Sequence, residues 1–167
     1  MANLEPLIQS IPVAPLKLAS LEGCRTLADQ VNNYLVSFRH ESPTNVGQAD
    51  SLQGYCADSY LLECECPRFG SGEGKGVLKE SVRGCDLFIM VDVTNYSLTY
   101  RVNGYENHMS PDNHYQDLKR IIAAATGKAH RINVVMPFLY EGRQHKRSKR
   151  ESLDLSLIHI SEPTRLG

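Results

Sequence analysis

An α/β domain with a mainly parallel sheet flanked by helices is what the sequence predicts, and three observations predict it. Nearly continuous apolar runs of strand length occur at residues 86–93 (DLFIMVDV) and 132–138 (INVVMPF), the pattern of strands covered on both faces. Apolar residues recur at helical spacing in Cys24, Leu27, Ala28, Val31, Tyr34 and Leu35, and again in Tyr115, Leu118, Ile121, Ile122 and Ala125. Strand-like and helix-like segments alternate along the chain, which favours parallel pairing through crossover helices. The 167 residues suffice for one domain of the commonest size.

Each element follows in order. Residues 15–19 (PLKLA) alternate as a first strand and lead through Ser20 and Gly23 into the first helix, with Ser20 or Glu22 near its N-terminus and its end near Phe38. Residues 42–54 (SPTNVGQADSLQG) are polar and turn-rich, a loop or insertion. Residues 60–66 (YLLECEC) have strand composition, and Pro67 ends them before the glycine-rich stretch 70–76. The strand at 86–93 comes next, then a polar stretch, 95–109, with no clear period. Ser110-Pro111 supplies an N-cap followed by proline at the first helical position, Gly127 a C-cap, and Lys128 a cation beside the negative end of the helix. The run at 132–138 closes the sheet.

Composition excludes several classes. Hydrophobic residues at 41% and charged residues at 22% describe an ordinary globular chain and not a disordered one. Five cysteines (24, 56, 64, 66, 85) form no CxxC pair, and Cys64-Glu65-Cys66 sets two thiols too close for a four-ligand zinc site. They read as free thiols in a reducing, cytoplasmic compartment. The first 15 residues lack the pattern of a signal peptide, and no run of about 18 consecutive apolar residues suggests a membrane span. His40, His108, His114 and His130 show no i, i+4 pairing, and no Ser/His/Asp set can be assembled. No metal ligand and no catalytic group is assigned in this stretch of chain.

The formal net charge of -1 gives the whole molecule no attraction for a polyanion, but the distribution is uneven. Residues 128–150 hold seven Lys/Arg against one acid, Glu141, which leaves the rest about seven units negative. The cations gather in 143–150 (RQHKRSKR), directly after the last strand, and ligands of open α/β sheets sit off the carboxyl ends of the strands. Three readings compete: a solvated basic loop, a nucleic-acid patch, or a phosphate site in which Arg143 forks phosphate oxygens and Gln144 reads a base edge. No nucleic-acid module accompanies the cluster, and position in the fold favours the phosphate site. A second candidate is Arg68-Phe69-Gly70-Ser71-Gly72-Glu73, where Phe69 can stack on a flat base, the glycines admit close backbone approach, and Glu73 can accept from an amine or hydroxyl.

Residues 155–165 (LSLIHISEPTR) read as an in-frame translation of a transposase adapter used in making sequencing libraries, so 155–167 are set aside from the fold, His159 and Glu162 included. The expected domain is 1–154, with insertions at about 40–57 and 99–108. Three ordered motifs in it are PLKLASLEGCRTLADQV, PRFGSGEGKGVLKESVRGCDLFIMVDV and MSPDNHYQDLKRIIAAATGKAHRINVVMPFLYEGRQHKRSKRES. Together they resemble the N-terminal half of a ribose-phosphate pyrophosphokinase (phosphoribosyl pyrophosphate synthetase).

The resemblance implies a phosphoribosyltransferase-like (Rossmann-like) domain, assembly into a homo-oligomer, and transfer of the diphosphoryl group of ATP to ribose 5-phosphate with Mg²⁺. It implies that Arg143 and Gln144 hold ATP; His145, Lys146 and Arg147 are read, from their place in the basic cluster, as further support for phosphate. It also implies that Phe69, Ser71, Gly72 and Glu73 reach the adenine, usually across a subunit boundary. Ser71 and His145 stand where the family usually has aspartates. The C-terminal catalytic domain that the family carries is expected to be absent from this chain, leaving ATP-side binding. A non-catalytic regulatory or associated subunit of the same fold is the alternative, and a generic polyanion-binding module the third reading.

Overall fold

The structure is a computed structural model and describes residues 14–41, 54–143 and 150. Strand β1 (Leu16–Ser20) runs into a 3-10 turn (Glu22–Cys24) and helix α1 (Arg25–Glu41). Two short strands follow, β2 (Leu61–Leu62) and β3 (Cys64–Glu65), then β4 (Val77–Leu78) and β5 (Asp86–Met90). A hairpin of β6 (Thr99–Val102) and β7 (Tyr105–His108) precedes helix α2 (Pro111–Ala125) and strand β8 (Arg131–Val135). The frame is a four-stranded, all-parallel sheet in the order β2-β1-β5-β8. The α/β class with helices flanking a parallel sheet is therefore the observed one.

The apolar run at 86–93 becomes the central strand because both its faces find cover. Leu87, Ile89 and Val91, each 0% exposed, meet Leu118, Ile121 and Ala125 of α2, while Met90 points the other way onto Cys24 and Ala28 beside α1. Burying a side chain the size of Ile121 contributes about 1.5–3 kcal/mol. Helix α2 begins where the sequence says it should: Ser110 accepts the Asn113 N–H at 3.2 Å, with Pro111 next. It stops at Thr126, after which Gly127 takes the left-handed conformation (φ 74°).

Other local expectations change. Neither Ser20 nor Glu22 caps α1; the entry is Leu21, with no side-chain cap, because the Leu21 N–H is committed to the Met90 carbonyl and Ser20 Oγ donates to the Leu21 carbonyl. The helix also runs past Phe38 to Glu41, where Arg39 donates to the Tyr55 carbonyl and stacks over the Tyr55 and Tyr60 rings. The strand expected at 60–66 breaks at Glu63, since Leu61 and Leu62 pair parallel with β1 whereas Cys64 and Glu65 turn away to pair antiparallel with β4. The stretch 95–109, which shows no period, holds the β6–β7 hairpin. The run at 132–138 is not covered on both faces: β8 is the outer strand, and Val134 (42%), Val135 (37%), Phe138 (47%) and Leu139 (57%) are exposed. Most of the loop expected at 42–54 lies outside the described residues. No helix among the described residues is long and apolar enough to cross a membrane.

Candidate functional site

All four sheet strands are parallel, so their carboxyl ends share one edge, and the chain leaves β8 there through Met136. The Tyr140 N–H approaches Met136 Sδ at 3.3 Å, its hydroxyl donates to the Asp112 carboxylate at 2.5 Å, and its ring packs edge-on against Tyr115 at 5.5 Å. That carboxylate pushes the Tyr140 hydroxyl up to about 12, with partial burial adding to it. The first turns of α2 thus hold the loop that carries Arg143, whose side chain is exposed. Gln144, His145, Lys146 and Arg147 lie outside the described residues.

The second candidate is a small hairpin. The Phe69 N–H donates to the Glu73 carbonyl at 2.8 Å, Gly72 N–H to the Phe69 carbonyl at 2.9 Å and Lys75 N–H to the Pro67 carbonyl at 3.0 Å. Gly72 sits at φ 92°, a conformation that L side chains rarely adopt. Phe69 is 55% exposed at the tip, and Ser71 Oγ donates to Glu73 Oε2 at 3.0 Å, so the hydroxyl orients the carboxylate. The structure gathers Phe69, Ser71, Gly72 and Glu73 into one turn. It ties this turn to the middle of α2 and the Arg143 loop to its first turns, points about 3–12 Å apart along the axis at ~1.5 Å per residue.

Sequence reasoning includes Arg68, the anchor of this turn, in the candidate stretch but gives it no role and no partner. Arg68, at the stem, forks onto Asp117 of α2 with distances of 2.6 and 2.8 Å, and Arg120 donates to the same carboxylate at 2.6 Å. The Arg68 and Asp117 side chains are 7% and 5% exposed. The available signal was an acid beside the apolar stripe of Leu118, Ile121 and Ala125, with arginine three residues on. His114 is itself buried, its Nε2 hydrogen-bonded to the Asn95 carbonyl at 2.7 Å.

Beside the anchor lies a cavity of about 110 Å³ whose walls include Arg25, Cys64, Cys66, Tyr100 and His114. Burial pushes the Cys64 thiol up to about 11 and the Cys66 thiol up to about 12, the latter helped by the Asp117 carboxylate. Both stay protonated and unreactive near neutrality. We expect iodoacetamide at pH 8 to spare Cys64 and Cys66 in the folded chain and to modify them only after unfolding, as peptide mapping would read. Their folded values exceed the reference value of 9.0, so the stability they contribute is complete below about pH 9 and is lost as pH rises through 11 to 12. Urea midpoints should fall above pH 9, and less so in Cys66→Ala; an identical slope in that variant would contradict the assignment.

Comparison with known proteins agrees with this architecture. The family model described as the N-terminal domain of ribose phosphate pyrophosphokinase matches residues 16–160. Among solved structures, the crystal structure of phosphoribosylpyrophosphate synthetase from Mycobacterium smegmatis is similar over 88% of this chain, with a TM-score of 0.56 and 21% identity. At that identity the likeness concerns the fold. The chain spans 38% of the length of that protein. A search of curated proteins gave no match.

Proposed function

Because the chain belongs to the ribose-phosphate pyrophosphokinase family through its N-terminal domain, we propose that it forms the ATP-holding side of a diphosphokinase. The reaction it serves transfers the diphosphoryl group of ATP to the C1 hydroxyl of ribose 5-phosphate, giving phosphoribosyl pyrophosphate and AMP for nucleotide biosynthesis. The observation that carries the reading is the Phe69 ring, held exposed on a hydrogen-bonded turn with Glu73 oriented beside it. An aromatic face fixed in solvent is a stacking platform for a base, and such a stack is worth about 1–3 kcal/mol. Arg143 takes the phosphates, because a planar fork matches phosphate oxygens in pairs, Gln144 reads the base edge, and His145, Lys146 and Arg147 add support to the phosphates.

Among the described residues no three His, Cys, Asp or Glu side chains converge as a metal site. Mg²⁺ enters this reading with the nucleotide phosphates, and these residues are assigned no part in holding it. The synthetase is a cytoplasmic homo-oligomer in this proposal, with the Phe69 turn of one subunit reaching the nucleotide of another. In this proposal the described residues hold ATP, and no catalytic group is assigned among them.

Calorimetry with MgATP tests the reading. The chain should bind ATP, Phe69→Ala should weaken binding about tenfold, consistent with a lost stack, and Arg143→Ala should weaken it through the phosphates. No ATP binding at millimolar concentration would sink the proposal, and formation of phosphoribosyl pyrophosphate by the chain alone would sink its division of labour.

A further inference from the structure

The geometry points to Arg68 and Asp117 as positioning residues that aim Phe69 outward. This rests on the reading of the Phe69 turn as the base-contacting element. Arg68 and Gly74 form the bridge that closes the turn, so the direction of the Arg68 side chain sets the direction of its neighbour. In extended chain successive side chains point to opposite faces. Arg68 points inward, both guanidinium nitrogens on Asp117, and Phe69 therefore points to solvent.

Three separate parts of the chain converge to hold that orientation. Helix α2 supplies Asp117 and Arg120; the β6–β7 hairpin supplies the Tyr100 ring, 5.2 Å from the Arg68 guanidinium carbon; and the turn supplies Gly74. A Cβ at Gly74 would stand 2.2 Å from Arg68 Nη1 and 2.6 Å from Arg120 Nη1, so glycine is what lets the turn close over the two guanidinium groups. A buried ion pair is a poor source of net stability, since desolvation consumes most of its Coulombic gain and apolar residues of similar volume do as well. What the fork does supply is an angle. Two parallel N–H···O bonds fix the plane of the guanidinium, which a single apolar contact would leave free.

The test uses the full chain with Arg68→Met and Arg68→Lys. Methionine removes the fork while Asp117 keeps Arg120, so the fold is retained; lysine restores a charge without a plane. Hydrogen exchange is read at the Phe69 and Gly72 amides, with the Ile89 and Met90 amides as the internal reference, and ATP affinity is measured in parallel. We expect Arg68→Met to lose at least tenfold in protection at Phe69 and Gly72 with the reference amides unchanged, and Arg68→Lys to recover part of it. In the Arg68→Met background a further Phe69→Ala should change ATP affinity less than twofold. Unchanged protection at the turn overturns the inference, and so does a parallel loss at Ile89 and Met90, which would make Arg68 a support of the whole fold. If the turn loosens as expected but the unaltered chain binds no ATP, the positioning role stands and the nucleotide reading fails.

Discussion

Asp117→Ala is expected to lower folding stability by about 3–5 kcal/mol, the usual cost of breaking a buried ion pair from one side. The carboxylate serves two cations: Arg68, whose side chain is 7% exposed, and Arg120, at 23%. Without it Arg68 keeps its charge in a place water hardly reaches, with a second guanidinium nearby and the uncharged Tyr100 ring over it. The roles are not symmetric. Arg68→Met leaves Asp117 bonded to Arg120, so its cost should be well below that of Asp117→Ala. Combining Arg68→Met with Asp117→Leu should regain most of the loss, because apolar replacements of a buried pair are often neutral. Urea unfolding of the four chains decides the matter: a loss under about 1 kcal/mol for Asp117→Ala would mean that water reaches the pair.

Gly76→Ala is expected to cost about 3 kcal/mol, the upper end for overpacking, and to lower the thermal midpoint by about 6–12 °C in a chain of this size. A Cβ there would lie 2.5 Å from the Arg120 carbonyl oxygen and 2.6 Å from its carbon. Those atoms belong to the backbone of α2, which cannot yield without disturbing the face that carries Asp117 on one side and Ile121 on the other. Gly104 provides the contrast. Among the described residues nothing lies within 4 Å of a Cβ at that position, and its φ of 83° is what opposes a side chain, so Gly104→Ala should cost about 1 kcal/mol. Gly76 itself has no positive φ, so equal losses in the two variants would mean that the backbone at Arg120 gives way to the added methyl group and that the close approach does not explain the glycine.

Local chemistry determined much of this protein. The central strand at Asp86–Met90 follows from an apolar run with no polar face, and α2 follows from its period together with Ser110, Pro111 and Gly127. The Phe69–Glu73 turn was legible too, since its glycines and its phenylalanine announce themselves within five residues. Tertiary structure decided what depends on distant partners. The β6–β7 hairpin escaped notice because only three of its eight strand residues are even half-buried, so alternation leaves little trace in hydropathy. The segment at 60–66 breaks at Glu63 because its halves join different sheets. Val134 and Val135 of β8 are exposed because the strand is outermost, whereas Ile132 packs against the core. Arg68 and Asp117 stand 49 residues apart, and no periodicity links them. Hydrophobic patterning is a short-range signal written every two or three to four residues, whereas a charge is rendered harmless in a core only by the one partner that the fold brings to it.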